Sequence, residues 1–278
     1  MRRSLVLGLA PVEIELESEA LVERFDWRYA GAEWEVPEGA SRTARIALAA
    51  GSGEPLDIAW QPSLATKREG TRVSVDWPGA KGSFDLAERA GRFEVRTDAR
   101  AFGLAVDDVL RMVGWELALA DGVLLLHAAA VGPKDAGWCD AFAGRSGAGK
   151  TTVTEKLVRA GETAVSDDLV FVVPGDPARA LPTPFKGATE APRLRRRASR
   201  LRSIAFLAQA ASASCARIES PENVVRILSA AVRYRALSSA EAERITAIGF
   251  ALAAKVPAFD LALTLEDDPR AILEGAVS

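Results

Sequence analysis

The chain has 278 residues, 49% of them hydrophobic and 26% charged, with a formal net charge of -3. That length holds one large domain or two, with enough apolar material for a full core. The near balance of charge excludes the overall basic field that a nucleic-acid partner requires.

Two cysteines, Cys139 and Cys215, make no disulfide framework and fit a reducing compartment. Arginine greatly outnumbers lysine and alanine is abundant, as in proteins from GC-rich bacterial genomes. Met1-Arg2-Arg3 and the apolar residues up to Ala10 imitate a signal peptide. Pro11 and the alternating run Val12-Glu13-Ile14-Glu15-Leu16 follow without a small-residue cleavage site, so a first β-strand is expected there. No apolar run approaches the ~18 residues that span a bilayer. A cytoplasmic protein with no membrane partner is the expectation.

Alternating apolar and polar residues predict strands at 12–16, 44–48, 56–60, 72–77 and 92–96. Gly51-Ser52-Gly53, Pro78-Gly79 and Gly91 separate them, and a helix is predicted at 18–29. Trp27, Trp34, Trp60 and Trp77 lie in this half and read as packing residues. Residues 1–100 thus read as a β-rich α+β accessory domain, with no His, no Cys and no paired carboxylates to carry chemistry.

From 101 to 119 the period changes. Phe102, Val106, Val109, Leu110, Val113 and Leu117 form an apolar stripe of helical spacing, read as the joint between the halves. The continuous apolar run 123–131 predicts one buried strand, interrupted chemically by His127, the only histidine. A short strand at 139–143 and a helix at 151–160 follow. The helix shows Val153, Leu157 and Val158 on one face and stops at Gly161. A strand at 164–173 carries Asp167-Asp168. A Pro-rich stretch around Lys186 leads to a basic tract of Arg193, Arg195, Arg196, Arg197, Arg200 and Arg202. Further strands are predicted at 203–207, 215–218 and 258–265. Helices are predicted at 221–236, at 239–255 (begun by a serine cap with Glu241 behind it) and at 269–276.

Chemistry concentrates around Gly144-Arg145-Ser146-Gly147-Ala148-Gly149-Lys150-Thr151, which satisfies G-x-x-x-x-G-K-[ST] at every fixed position. Glycines at this spacing let the backbone turn tightly, so that successive N–H groups face phosphate oxygens. Lys150 supplies a mobile ammonium for the β/γ-phosphates, Thr151 a hydroxyl for Mg²⁺, and Thr152 continues the loop into the helix. The helix N-terminus adds its dipole to this anion site.

One helix and one strand later come Asp167 and Asp168. Neighbouring side chains on a strand face opposite ways, so both reach one site only if the strand ends or bulges there. Such a pair can hold Mg²⁺ or orient an incoming hydroxyl; a solvated strand end is the plain alternative. His127 reads either as a proton relay or phosphate contact, or as a satisfied core residue. The basic tract reads equally as a solvated face or as a contact for phosphate or an acidic substrate.

Leu125-Leu126-His127-Ala128, then the glycine-rich loop, then Ser166-Asp167-Asp168 resemble the HPr kinase/phosphorylase family. The chain is particularly similar to the smaller HPr-kinase-related proteins of bacterial peptide-modification gene clusters, and the resemblance covers about residues 120–278. It implies a P-loop (Walker A) domain on a mixed sheet related to phosphoenolpyruvate carboxykinase, with ATP and Mg²⁺ as cofactors and serine hydroxyls as acceptors. Carried over, Lys150 is the loop lysine, Thr151 the metal-binding hydroxyl, His127 the active-site histidine and Asp167 and Asp168 the paired acids. In that reading Asp167 orients or deprotonates the acceptor, and Asp168 is a metal-side ligand. Thr151-Thr152 stands where the family commonly has Ser-Glu, and the signature of the phosphorolytic reaction is not recognisable.

The expectation is an α/β protein of two domains, residues 1–100 as the β-rich accessory domain and 101–278 as the HPr-kinase-like nucleotide-binding domain. Its function would be ATP- and Mg²⁺-dependent transfer of the γ-phosphate to a hydroxyl, serine of a peptide or small protein. A kinase for a small metabolite is one alternative, and a nucleotide-binding switch without transfer is another. The sequence also admits a homo-oligomer.

Overall fold

The computed structural model describes residues 1–29, 35–51, 66–77, 79–97, 101–185 and 195–277. The strand expected at 56–60, together with Trp34, Trp60, Pro78, Lys186 and Arg193, lies outside them. The chain is α/β, with mixed sheets and, among the described residues, six helices. It divides into two compact units, one of Met1–Asp121 with Arg233–Leu237, the other of Gly122–Val232 with Ser238–Ser278. The boundary between the units falls one helix later than the boundary expected after residue 100.

In the first unit, β1 (Arg2–Leu7), β2 (Ala10–Leu16), β3 (Ala44–Gly51), β4 (Thr66–Glu69), β5 (Arg72–Trp77), β6 (Ala80–Asp85) and β7 (Ala90–Arg96) form one sheet. Its order is β1-β2-β3-β7-β6-β5-β4. Only β2–β3 and β3–β7 pair in parallel, and α1 (Glu19–Tyr29) provides the crossover that parallel β2 and β3 require. Ile14, Leu16, Ile46, Leu48, Val73, Val75, Phe93 and Val95 are buried, the inward half of the alternation read from the sequence. α2 (Ala101–Ala120) packs on β1, β2, β6 and β7, which is why it belongs to this unit. Two strands had no sequence signal: β4, Thr-Lys-Arg-Glu, is exposed or half-buried throughout, and β6 carries Gly82 and Ser83 in place of apolar residues.

Asp107 on α2 is buried and ties the two helices together, accepting from the Tyr29 hydroxyl at 2.5 Å and from the Arg28 guanidinium. Beside it, burial pushes the half-buried Asp108 carboxyl up to about 6, with Arg111 opposing and Asp107 adding to the shift. The folded chain therefore holds this proton more tightly than the unfolded chain, and stability falls as pH rises from about 4 to about 6. Asp108→Asn is expected to stabilise the protein at pH 7 by on the order of 1–2 kcal/mol and to flatten this pH dependence. Urea titrations of both proteins at pH 4 and pH 7 check it; equal stabilities at pH 7 would contradict it.

The second unit contains β8 (Leu124–Leu126), β9 (Ala128–Pro133), β10 (Trp138–Ala143), β11 (Glu162–Ser166), β12 (Val170–Val173), β13 (Arg179–Leu181), β14 (Ser199–Gln209), β15 (Ser214–Ile218) and β16 (Ala258–Leu263). The main path runs β11-β9-β10-β14-β13-β12-β8, with β16 along the C-terminal end of β14 and β15 along β16. β14 is parallel to both β10 and β16; the other pairs are antiparallel. The helices are α3 (Lys150–Arg159), α4 (Glu222–Ala230), α5 (Ser239–Ala253) and α6 (Pro269–Val277).

Two long strands expected from the sequence are each broken in two. The run 123–131 divides at His127 into β8 and β9, and the run 164–173 divides at 167–169 into β11 and β12. The breaks face each other. Leu126 pairs with Val170 on one side of the gap, and Ala130 with Ser166 on the other. β8 and β12 end the sheet path at one edge and β9 and β11 at the other, so at both breaks the chain passes from one end of the path to the other. Both runs are buried along nearly their whole length, so no change of periodicity marks the break.

A core of Val131, Phe142, Val153, Leu157, Phe259, Leu261 and Leu273 joins α3 and α6 to the sheet. Burying Phe142 and Leu157 contributes about 1.5–3 kcal/mol each. That packing fixes the start of α3 at the end of β10. α5 begins with a capping box in which Ser238 accepts from the Glu241 amide and the Glu241 carboxylate accepts from the Ser238 amide. The helix expected at 221–236 stops at Ala230; the chain then enters the first unit, where Arg235 pairs with buried Glu116 at 2.7 Å. Among the described residues no helix is long and apolar enough to cross a membrane.

Candidate functional site

The glycine-rich loop leaves the carboxyl end of β10, beside the parallel strand β14, and runs straight into α3. Crevices at the carboxyl ends of parallel strands are where open α/β sheets bind ligands. Gly149, with φ of 104°, is the N-cap residue of α3, a backbone position that side-chain-bearing residues rarely adopt. A side chain at Gly144 would put its Cβ 2.7 Å from the Cβ of Ala148, so the loop closes only with glycine there. The turn is held by the Ala148 amide donating to the Arg145 carbonyl at 3.0 Å. α3 starts without a side-chain cap, leaving the amides of its first turn for an external acceptor.

Arg145, Ser146, Gly147 and Thr152 are exposed, while Gly144, Ala148, Gly149 and Thr151 are half-buried. Lys150 is buried. Its ammonium donates to the Gly144 carbonyl at 2.8 Å and to that of Arg145 at 3.4 Å, folding back over the loop it serves. Burial lowers the Lys150 pKa, and the negative charge of Asp168 opposes that shift.

The paired acids sit at the second strand break, directly after β11 ends at Ser166. Two hydroxyls brace this bend: Ser166 and Thr183 both donate to the Leu169 carbonyl, the latter at 2.8 Å. Asp167 is buried, and the Asp168 side chain is 25% exposed. Across the gap, His127 Nε2 lies 3.3 Å from Asp168 Oδ1. The His127 side chain is 40% exposed, which is not the setting of a core histidine. Its amide donates to the Ala230 carbonyl at 2.9 Å, so the residue is held by the end of α4 instead of by a neighbouring strand.

His127, Lys150, Thr151, Asp167 and Asp168 line one cavity of about 300 Å³ with the loop. A residue without any sequence motif joins them. Gln209, the last residue of β14, lines the same cavity and donates from Nε2 to the Gly147 carbonyl at 2.8 Å. Its place follows from the parallel register of β14 on β10, which a single sequence does not display.

The basic tract is divided. Arg195 is buried and bonds to the Ser199 hydroxyl at 2.8 Å and to the Pro133 carbonyl at 2.5 Å. Arg202 pairs with the fully buried Asp140 through bonds of 2.9 and 2.7 Å, and Ser203 and Arg270 complete that carboxylate's shell. These two arginines hold strands together. Arg196, Arg197 and Arg200 are exposed.

The oxygen donors suit Mg²⁺, which takes one or two protein oxygens and completes its shell with phosphates and water. Among the described residues no group of three or more His, Cys, Asp or Glu side chains forms a cage that would hold a metal without such help. Thr151 and Asp168, lining one cavity with the loop, are donors of the required kind. No protein-family model matches this chain, and no curated protein matches it.

Proposed function

We propose that the second unit is a P-loop phosphotransferase of the HPr-kinase-like type, which moves the γ-phosphate of ATP to a hydroxyl with Mg²⁺. The observation that carries this reading is the shared cavity of Lys150, Thr151, His127, Asp167 and Asp168 at the uncapped start of α3. The acceptor class, serine of a peptide or small protein, comes from the sequence resemblance.

The reaction forms a bond between the acceptor oxygen and the γ-phosphorus and breaks the bond to the β,γ-bridging oxygen. The acceptor proton goes to a carboxylate. Lys150 and the amides of the loop and first turn bind the β- and γ-phosphates and offset the charge that builds on the leaving oxygen. Thr151 and Asp168 would hold Mg²⁺, which would supply further neutralisation of the phosphates. The sequence resemblance divides the roles of the two acids, with Asp168 on the metal side and Asp167 receiving or orienting the acceptor hydroxyl; both line the cavity. His127, next to Asp168, fixes that carboxylate and contacts the transferred group.

His127→Ala is expected to lower transfer by roughly 10²-fold, the scale for losing an acid–base group. Its side chain is two-fifths exposed, so the unfolding midpoint should move little, within about 0.5 kcal/mol. A variant with full activity and a much lower midpoint would contradict the assignment. The function itself is tested with γ-labelled ATP, Mg²⁺ and an array of serine-containing peptides. Label on a serine hydroxyl supports the kinase; nucleotide binding without transfer to any acceptor supports a nucleotide switch.

A further inference from the structure

We infer that the cavity between the first turn of α3 and the ends of β14 and β16 takes the nucleoside of the triphosphate and holds the base by apolar contact, without reading its hydrogen-bonding edge. This rests on the phosphotransferase reading and adds how the nucleoside is held, with little choice between adenine and guanine.

The cavity has a volume of about 390 Å³, inside the range of roughly 300–1,000 Å³ for small-ligand sites. It adjoins the phosphate site: Gly149, Thr152 and Gln209 line both. A triphosphate seated in the loop therefore leads past Thr152 into this space. A larger cavity of about 700 Å³ also borders the loop, with Arg145, Arg226 and His127 in its walls. Charged walls and the transfer-side histidine suit the acceptor there, not a base.

The walls of the smaller cavity are apolar where a base would lie. Leu263, Leu265 and Pro269 form one side, and Leu265 is 76% exposed, a large apolar side chain open to solvent at the rim. A base laid on it would cover that surface, the usual source of affinity for a planar ring. Three of the four polar side chains of the walls are engaged in holding the walls themselves, and the fourth, Thr152, also lines the phosphate cavity. The Lys156 ammonium donates to the carbonyls of Leu265 and of Asp267, the latter at 2.9 Å. Gln209 donates to Gly147, and the Thr264 hydroxyl accepts from the Glu266 amide at 3.2 Å. A site that discriminates between bases does so with polar groups committed to the base edge.

The test is calorimetric titration, with Mg²⁺ and without acceptor, of wild type and Leu265→Asp with ATP, GTP and inorganic tripolyphosphate. Wild type should bind ATP at least about tenfold more tightly than tripolyphosphate, and GTP within about threefold of ATP. Leu265→Asp should weaken ATP and GTP by about tenfold and leave tripolyphosphate unchanged. Leu265 is exposed, so the substitution leaves the core intact. If ATP binds no better than tripolyphosphate, or Leu265→Asp binds ATP as wild type does, the nucleoside is elsewhere. A preference of more than about 30-fold for one purine overturns the unread edge. If tripolyphosphate itself fails to bind, the phosphate-loop reading falls, separately from this one.

Discussion

Lys150→Ala is expected to weaken ATP binding by roughly 10- to 100-fold, the equivalent of one lost charged hydrogen bond of about 1.5–3 kcal/mol. Transfer should fall further, by about 10²–10³-fold beyond the binding loss, because the cation matters most when charge builds on the leaving oxygen. Some of any change in unfolding midpoint will come from the lost ties to Gly144 and Arg145, so stability is measured beside binding. Titration with Mg²⁺-ATP checks the first effect and single-turnover transfer the second. A folded variant with unchanged affinity and turnover would remove the phosphate-loop assignment.

Asp167→Asn should leave ATP affinity within about threefold of wild type, since the loop and first-turn amides supply most of the phosphate contacts. Transfer to a serine acceptor should fall by roughly two to four orders of magnitude, because the amide can no longer take the acceptor proton. The substitution keeps the shape of a buried side chain, so it isolates charge from packing. Equal transfer by wild type and variant would reassign the acceptor side of the cavity.

The loop was legible because its glycines, lysine and threonine must be neighbours in sequence to be neighbours in space. The helix after it was legible from Val153, Leu157 and Val158. Asp167 and Asp168 could be named as a pair, and the strand had to end there for both to reach one cavity; β11 does end at Ser166. The facing break at His127 left no trace. Val123 to Val131 is buried along nearly all its length, so its hydrophobicity reports burial and not the change of sheet partner. The contact between His127 and Asp168 depends on antiparallel register across that gap, and Gln209 depends on parallel register beside β10. Register is a property of pairs of strands, and one sequence gives no access to it. The apolar stripe of α2 was equally plain, but the stripe does not say which sheet it will cover.

In the proposed function the loop cavity both holds the triphosphate of ATP and passes its terminal phosphoryl group to a hydroxyl. The most direct measurement follows ³²P from γ-labelled ATP into a serine-containing acceptor in a single turnover, beside equilibrium ATP binding, on the same preparations of wild type and Asp167→Asn. The predicted result is equal binding within about threefold, with transfer by the variant reduced at least about 10²-fold. Wild type that binds ATP and labels no acceptor, with a variant that differs only in binding, would contradict it.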